Sequence, residues 1–262
     1  MPELPDVELF RRYFEKTAMS QEIKNISAEK SILKGVSETD LEKTFADKKF
    51  SSALRHGKHM FAGTGESGPW MVIHFGMTGF LVYLQANQQP PKHCRMLATF
   101  ADGQKLAFDC RRKLGRIRLA ADINNFIREM DLGPDALDEK LDLEEFKRRL
   151  AGTRGAVKSA LMNQSVISGL GNIYTDEILF HAGIHPRRKL ADISAGMMER
   201  LYQTMHFVLS SAIEAGAEPE QMPADFLIRR RQPGATCPRC GAQVEKIAVS
   251  GRNGYFCPGC QK

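Results

Sequence analysis

Four cysteines near the C-terminal end of the chain have a spacing that suits a metal site. Cys237, Cys240, Cys257 and Cys260 form two C-x2-C pairs, and in a reduced protein such pairs supply four thiolates to one tetrahedral zinc ion. Because four protein ligands leave no open position on the metal, we expect one structural Zn2+. The segment between the pairs alternates like a hairpin, with GRNG predicted at its tip. Arg252 would then be displayed for a phosphate or groove contact, although a merely solvated arginine fits too.

The N-terminus, MPELPDVELF, is unusual because a proline follows the initiator methionine directly. Removal of Met1 would leave Pro2 with a free secondary amine, a nucleophile that forms iminium adducts with aldehydes and sugar carbons. A retained Met1 would acylate that nitrogen and abolish the amine. The alternative is structural: the prolines precede a helix whose first turn carries Asp6 and Glu8, where negative charge is favoured. These ten residues leave both interpretations open.

A third candidate is the stretch MNQSVISGLGNIYTDEILFHAGIHP at 162–186. Its pattern predicts a helix up to Gln164, a glycine-containing turn, and a second helix that begins near Asn172. Backbone N–H groups at a helix start point outward and favour anions. Together with the Asn172 side chain, they predict a site for a phosphodiester.

The distribution of charge favours a polyanionic partner. The chain has a formal net charge of +6 and a pI of about 9.0. Residues 92–118 contain eight Lys and Arg against two Asp, a local charge of 8 − 2 = +6, and RRR at 229–231 lies just before the cysteines. Such clusters are typical of nucleic-acid binding, but a solvated charged face remains an alternative.

Composition and patterning then define the elements that position these residues. With 262 residues, 42% hydrophobic and 26% charged, the chain is typical of a globular protein with two domains. It has no apolar run of about 20 residues and no secretory signal, so we expect no membrane partner and a reducing cytoplasm. Cys94 and Cys110 are accordingly predicted to be reduced core thiols.

The order of patterns predicts an α+β fold. Residues 6–18 have helical periodicity, 22–119 form short β-rich runs typical of a β-sandwich, and 131–138 marks a boundary. Asp102 and Gly103 are predicted to form the turn of a hairpin. Four helices follow, within 141–152, 156–164, 172–183 and 193–216. We predict a catalytic β-sandwich domain at 1–120, a linker at 121–135, a helical domain at 136–228 and a zinc finger at 229–262.

Five motifs in order resemble the bacterial formamidopyrimidine-DNA glycosylase / endonuclease VIII family. They are PELPDVE at 2–8, HFGMTG at 74–79, LGPDAL at 132–137, NQSVISGLGNIYTDE at 163–177 and GRNGYFCPGCQ at 251–261. The resemblance covers the whole chain. It implies an N-terminal β-sandwich, a helix–two-turns–helix DNA-binding domain and a C-terminal zinc finger, which is the order read from the periodicity.

The resemblance also implies catalytic roles. Pro2, freed of Met1, is similar to the amine that attacks C1′ of a damaged nucleoside, expels the base and leaves an iminium. Glu3 resembles the acid/base residue that passes protons to the ring oxygen and during elimination. Lys58 resembles a lysine that contacts phosphate beside the lesion. The implied activity is a bifunctional glycosylase and abasic-site lyase of base excision repair that cuts by β,δ-elimination.

The remaining DNA-binding residues follow from the same resemblance. Asn172 and Arg252 match the pair that holds phosphates around the everted nucleotide, and Met77 matches the residue that fills the vacancy in the base stack. His74 of HFGMTG and Arg111 are assigned to the same DNA surface, with Arg111 at the position that reads the orphaned cytosine. The implied partner is damaged double-stranded DNA, bound by a monomer that associates with the nucleoid.

Three departures from the family pattern concern substrate choice. Asp6 replaces a glutamate, which should change the geometry only slightly. In DCRRKLG at 109–115, Lys113 or Leu114 lies where a wedging phenylalanine is expected. Only the 20 residues 217–236 separate the last helix from Cys237, too few for the lid that covers an everted 8-oxoguanine. We therefore expect formamidopyrimidines, hydantoins or, as in endonuclease VIII, oxidised pyrimidines.

Two other classes of function remain as alternatives. A damage-binding zinc-finger protein without catalysis would keep the DNA contacts but has no need of Pro2 and Glu3, which this chain retains. An RNA- or ribosome-binding zinc-ribbon protein would explain the charge and the cysteines but not the N-terminus.

Overall fold

A computed structural model of the chain describes residues 1–65 and 68–262. The described residues divide into two compact units, one comprising Met1–Pro2 and Asp6–Met130 and the other Glu3–Pro5 and Asp131–Lys262. The α+β fold predicted from the sequence is confirmed. Within the described residues, no helix combines the length and the apolarity needed to cross a lipid bilayer.

The first unit is a β-sandwich flanked by helices. Its strands are β1 (Ile23–Ala28), β2 (Ser52–His56), β3 (His59–Gly63), β4 (Trp70–His74), β5 (Gly79–Leu84), β6 (Cys94–Phe100), β7 (Lys105–Cys110) and β8 (Arg116–Ala120). They form two antiparallel four-stranded sheets, in the orders β1-β6-β7-β5 and β2-β3-β4-β8. One apolar core joins the inner faces, with Ile26 and Phe108 from one sheet and Met60 and Ile73 from the other. The predicted hairpin around Asp102 and Gly103 is the β6–β7 pair.

Three helices accompany these strands: α1 (Leu4–Ala18), α2 (Glu38–Phe45) and α3 (Ile123–Glu129). The predicted α1 is confirmed, whereas α2 and α3 are additional. Ser37 caps α2 through a capping box with Asp40, and Asp122 caps α3 by accepting the N–H of Asn125 at 2.8 Å. Because each cap satisfies N–H groups that the helix leaves unpaired, short helices form here without a long periodic pattern.

The second unit is helical and ends in a small hairpin. Its helices are α4 (Leu143–Ala151), α5 (Val157–Leu161), α6 (Asn172–Ala182) and α7 (Ala195–Glu214), and its strands are β9 (Glu245–Val249) and β10 (Arg252–Phe256). The four predicted helices are confirmed, although α5 ends at Leu161 and not at Gln164 as predicted. Gly216 follows the end of α7 at φ 64°, a backbone conformation that favours glycine. The core includes Leu4, which Glu3–Pro5 contributes to this unit.

Candidate DNA-binding and catalytic site

The four predicted zinc ligands lie together. The sulfur atoms of Cys237, Cys240, Cys257 and Cys260 are all within 4.8 Å of one another. The separations are 3.8 Å between Cys237 and Cys260 and 3.3 Å between Cys240 and Cys257. A tetrahedral ion with Zn–S bonds of about 2.3 Å separates its sulfur ligands by about 3.8 Å. The cluster therefore fits one structural zinc, which holds the hairpin and supplies no catalytic position.

The hairpin above this cluster differs in one detail from the sequence prediction. Its turn is Ser250–Gly251, with φ of 47° and 75°, and Arg252 pairs with Val249 as the first residue of β10. The predicted GRNG tip is therefore wrong by one or two residues. Two-residue hairpin turns with both φ values positive match the twist of the strands, so the turn forms at Ser-Gly and the Arg-Asn-Gly sequence enters the strand.

Glu3 lies at the start of α6. Its side chain is 1% exposed, and its carboxylate accepts the N–H groups of Gly171 and Ile173 at 2.8 Å and of Tyr174 at 3.2 Å. These N–H groups lack partners within the helix. The prediction that these N–H groups bind a phosphodiester is therefore wrong, because the Glu3 carboxylate already accepts all three.

The loop before α6 is shaped to receive the N-terminal segment. A Cβ atom on Gly171 would overlap the Glu3 carboxylate, and one on Gly169 would lie 2.6 Å from Cδ1 of Leu4. Gln164 supports this loop because its amide donates to Leu170 O at 2.8 Å and accepts Gly169 N–H at 3.1 Å. Glycine at these positions therefore lets Glu3 approach the start of α6. The sequence predicted a glycine-containing turn here but not that it makes room for Glu3.

Asn172 contacts the zinc-bound hairpin. Its Nδ2 donates to Asn253 O at 2.8 Å, and its Oδ1 is buried without a protein partner. One amide hydrogen remains for a ligand, since Nδ2 carries two. The sequence prediction placed Asn172 at a helix start, which is where it lies, but its bond to the hairpin was not foreseen.

Arg252 lies on the zinc-bound hairpin, beside α5 and the turn that follows it. It is exposed and lines a cleft of about 420 Å³ with residues of α5 and the following turn. Ser159 of α5 and Ser250 of the hairpin turn are joined by a 2.6 Å hydrogen bond across the cleft wall. An exposed guanidinium offers five N–H donors, and its place on a paired strand fixes the backbone that carries it.

Lys58 occupies the turn between β2 and β3. Gly57 precedes it at φ 56°, and Arg55 donates to Gly57 O at 3.2 Å while its Nε binds Glu8 at 3.2 Å. Lys58 is only 9% exposed, which is unusual for a lysine without a specific role. Lys58 is therefore not a fully solvated surface charge.

His74 ends β4 near this lysine. Burial, followed by the positive charges of Lys58 and Arg116, lowers the pKa of His74 to about 4. Its Nδ1 accepts the N–H of Gly76 at 3.2 Å, so the neutral ring carries its proton on Nε2. His74 is thus a neutral single donor at pH 7.

Met77 and Arg111 lie in two loops at one end of the sandwich. Both loops, 75–78 and 111–115, cross from one sheet to the other, since β4 pairs with β8 and β5 with β7. They touch: Thr78 Oγ1 accepts Arg112 N–H at 3.3 Å, and a Cβ on Gly76 would lie 2.6 Å from Leu114 O. The structure therefore brings Met77 and Arg111 to the same edge.

The loop within DCRRKLG exposes one apolar side chain, that of Leu114. Leu114 and Met77 are 40% and 39% exposed, a high value for apolar side chains in neighbouring loops. Lys113 has φ 52° and forms a 2.5 Å ion pair with Glu29. Lys113 is thereby engaged elsewhere, and Leu114 is the exposed apolar residue of its loop.

The segment between α7 and the cysteines is compact. It contains two short 3-10 helices, Pro219–Gln221 and Leu227–Arg230. The Arg229 guanidinium donates to the backbone carbonyls of Pro219 at 2.7 Å, Met222 at 2.6 Å and Glu220. Arg229 thus holds the first 3-10 helix in place.

Sequence reasoning missed Asp176 and its partners. Asp176, fully buried on α6, binds Lys158 and Arg231, each at 2.6 Å. Burial lowers the pKa of Lys158, while the charge of Asp176 acts in the opposite direction. The only available signal was the pair of adjacent carboxylates, Asp176 and Glu177, in a helix whose other residues are mostly apolar.

Comparison with known proteins covers the whole chain. Three family models match: the formamidopyrimidine-DNA glycosylase N-terminal domain over residues 1–117, the formamidopyrimidine-DNA glycosylase H2TH domain over 132–223, and the zinc finger found in FPG and IleRS over 234–262. The formamidopyrimidine-DNA glycosylase of Desulfitobacterium hafniense is 35% identical over 280 residues, with 100% of both chains covered.

Solved structures are similar over the same extent. The wild-type Lactococcus lactis Fpg (MutM) bound to DNA containing N7-benzyl-Fapy-dG has a TM-score of 0.90 at 28% identity, with 100% of both chains covered. A MutM in complex with DNA containing carbocyclic 8-oxo-G has a TM-score of 0.89 at 29% identity, again with 100% of both chains covered. The resemblance drawn from the five sequence motifs is confirmed.

Proposed function

The chain belongs to the formamidopyrimidine-DNA glycosylase family, and we propose that it excises oxidised bases from damaged double-stranded DNA through Pro2 and then cuts the strand. It is a DNA glycosylase of base excision repair. The proposal about mechanism rests on Glu3, whose carboxylate is held by three N–H groups. A buried acid/base residue one peptide bond after the reacting amine is the arrangement that this chemistry needs.

In the first step of the proposed mechanism, Pro2 is the nucleophile, once Met1 has been removed. The lone pair of its nitrogen attacks C1′ while the bond from C1′ to the base breaks, and the departing base takes up the proton that the Pro2 nitrogen loses. Glu3 delivers a proton to the ring oxygen, which opens the sugar to an iminium. β-Elimination then expels the 3′ phosphate and δ-elimination the 5′ phosphate, and Glu3 carries protons in these steps.

Phosphate binding is assigned to residues of both units. Asn172, with its remaining amide hydrogen, and Arg252, with an exposed guanidinium, bind phosphates around the everted nucleotide. Lys58 and the Nε2–H of His74 bind phosphate beside the lesion. These contacts hold a bent strand, which offsets the few kcal/mol that unstacking a base costs.

We assign to Met77 the role of filling the gap that the everted nucleotide leaves in the base stack. Leu114 takes the place of the wedging phenylalanine, because it is the exposed apolar side chain of its loop. Arg111 contacts the orphaned base from the same edge. Because a leucine covers less area than an aromatic ring and cannot stack, we expect weaker discrimination of the opposite base.

For the lesion, the short segment 217–236 favours formamidopyrimidines, hydantoins or oxidised pyrimidines over 8-oxoguanine. Arg229 donates to the carbonyls of Pro219 and Met222, so the segment is folded on itself, which supports a segment too short and too fixed to act as a lid. The test compares single-turnover cleavage of duplexes that differ only in the lesion, with an undamaged duplex as control. Faster cleavage of 8-oxoguanine opposite cytosine than of the other lesions would contradict the preference, and no cleavage of any lesion would contradict the function.

The non-catalytic alternative predicts binding of the same duplexes without strand cleavage, so the comparison of lesions distinguishes it from the proposed enzyme.

We also propose that the protein is a monomer in the cytoplasm that associates with the nucleoid. Its proposed domains are 1–120, 136–228 and 229–262, with a linker at 121–135. Sedimentation of the protein with and without a lesion-bearing duplex tests the monomer.

A further inference from the structure

Helix α6 binds the outer edge of β10 through two residues one turn apart. Asn172 donates to Asn253 O at 2.8 Å, and the Asp176 carboxylate accepts Tyr255 N–H at 3.0 Å. In an antiparallel hairpin, the C=O of one residue and the N–H of the second residue after it point to the same side. Asn253 O and Tyr255 N therefore lie on the side of β10 that faces away from β9, and residues of α6 form a hydrogen bond with each of them.

Asp176 also binds two cations. Lys158 Nζ lies 2.6 Å from Oδ1, and an Arg231 guanidinium nitrogen lies 2.6 Å from Oδ2. The side chains of Lys158 and Asp176 are 1% and 0% exposed, and that of Arg231 is 13% exposed. Burying an ion costs several kcal/mol, which a pair repays only with good geometry. The buried triad is therefore expected to add little net stability. Its function is better explained as fixing the arrangement of the elements that carry the three residues.

Arg231 connects the two elements that the triad joins. Its guanidinium donates to the backbone carbonyl of Asn172 at 3.2 Å and stacks over the ring of Tyr255 at 5.3 Å. It thus touches the start of α6 and the strand β10 at once. A Cβ on Gly254 would overlap Lys158 Nζ and would lie 2.9 Å from Oδ1 of Asp176, so β10 can lie this close only with glycine there.

We infer that Arg231 and Asp176 are positioning residues, which fix β10 on α6 so that Arg252 and Asn172 meet the same stretch of DNA backbone. Arg252 lies two residues before Gly254 and three before Tyr255, so a shift of the β10 edge moves its guanidinium. The inference rests on the proposed phosphate-binding role of Arg252 and Asn172. The action of Arg231 is indirect, since one terminal nitrogen of its guanidinium donates to both Asp176 and Asn172 and the group lies over the Tyr255 ring.

The test uses Arg231→Met in the full-length, zinc-loaded protein and a duplex with a tetrahydrofuran abasic analogue as binding probe. Arg200→Met is the matched control, because Arg200 is exposed on α7 and loses the same charge. We expect Kd and KM of Arg231→Met to rise about tenfold, with kcat and zinc content within about twofold of wild type. A kcat that falls while KM stays constant would overturn the inference.

A double-mutant cycle separates positioning from direct contact. In an Arg252→Ala background, Arg231→Met should weaken binding by less than about twofold, because its effect passes through Arg252. Losses that multiply would mean that Arg231 binds DNA itself, which overturns the inference. Asp176→Asn should be equally non-additive, and it serves as the second variant if Arg231→Met does not fold.

The result is separable from the proposed function. A wild-type protein that neither binds the abasic duplex nor cleaves a lesion-bearing one contradicts the proposed function. A wild-type protein that does both, combined with multiplying losses in the cycle, contradicts only the role of Arg231 and Asp176.

Discussion

The carboxylate of Glu3 accepts the N–H of Gly171 at 2.8 Å, across 168 positions of sequence. This contact puts an acid/base residue at the positive end of α6. The helix start that the sequence suggested as a phosphate site is therefore used to hold a protein carboxylate, and the DNA contacts shift to the Asn172 side chain and to Arg252.

Gly171→Ala should inactivate the enzyme by displacing Glu3. The added methyl group would overlap the carboxylate, and loss of positioned acid/base catalysis typically costs about 10²–10⁴-fold in rate. Single-turnover excision on a lesion-bearing duplex measures this. Gly196→Ala on α7 is the control, because its Cβ meets nothing within 4 Å and a helical Ala stabilises by up to about 1 kcal/mol. Wild-type rates in Gly171→Ala would show that the Glu3 contact is dispensable.

Cys237→Ser should abolish zinc binding and DNA affinity together. The metal contributes roughly 10–16 kcal/mol to folding of a small module of this kind, so the hairpin carrying Arg252 should lose its structure. Zinc content by atomic absorption and duplex binding are the two readouts. Cys94→Ser is the matched control because Cys94 lies outside the cluster. Full DNA affinity in zinc-free Cys237→Ser would contradict the structural role of the metal.

Arg252→Ala should weaken binding and make it less sensitive to salt. Loss of one phosphate contact reduces the slope of log Kd against log salt by about 0.9 for duplex DNA. Titrations between low and moderate salt measure the slope, and Arg200→Ala on the exposed face of α7 is the control. An unchanged slope with weaker binding would mean that Arg252 acts on the fold and not on a phosphate.

Glu8→Gln should destabilise the protein in a pH-dependent way. Burial alone would raise the pKa of Glu8, but Arg11, Arg12 and Arg55 hold it at about 2, against an ordinary value of 4.5. A carboxyl whose folded-state pKa is lowered contributes stability above pH 4.5, and this is lost as the pH falls towards 2. Because the arginine partners are partly exposed and solvent screens these ion pairs, we expect a deficit of up to about 2 kcal/mol at pH 7.

Urea unfolding of Glu8→Gln and wild type between pH 2.5 and 7 gives this deficit as the difference between their free energies of unfolding in water. The deficit should shrink steadily below about pH 4.5. A deficit independent of pH would assign it to packing and not to the ion pairs. Because Arg55 joins Glu8 to the turn that carries Lys58, slower turnover at pH 7 is expected as well.

The elements with a strong local signal could be predicted from the sequence. The apolar periodicity of α1, α4, α6 and α7 is long enough to indicate a helix, and the cysteine spacing dictates the zinc ligands. Helix α2 was missed although its capping box, Ser37 to Asp40, is legible as S-x-x-D. Its eight residues lie among strands and give too short a period to stand out.

The tertiary contacts could not be predicted in the same way. Nothing near Glu3 in the sequence indicates that it caps a helix beginning at Asn172, because a helix start accepts any suitable anion and the chain decides which one arrives. Likewise, Asp176 looks like an ordinary helical carboxylate until Lys158 and Arg231 are brought to it. Partner choice of this kind depends on packing between distant segments.

The central claim is that the nitrogen of Pro2 forms the covalent link to deoxyribose. The direct measurement is mass spectrometry of the protein trapped with borohydride on an abasic-site duplex, after tryptic digestion. We predict that the sugar remnant lies on Pro2 of the peptide 2–11, that chains retaining Met1 are not trapped, and that Pro2→Gly loses the adduct. A remnant attached to Lys58 or another lysine, or efficient trapping of chains that keep Met1, would contradict the account.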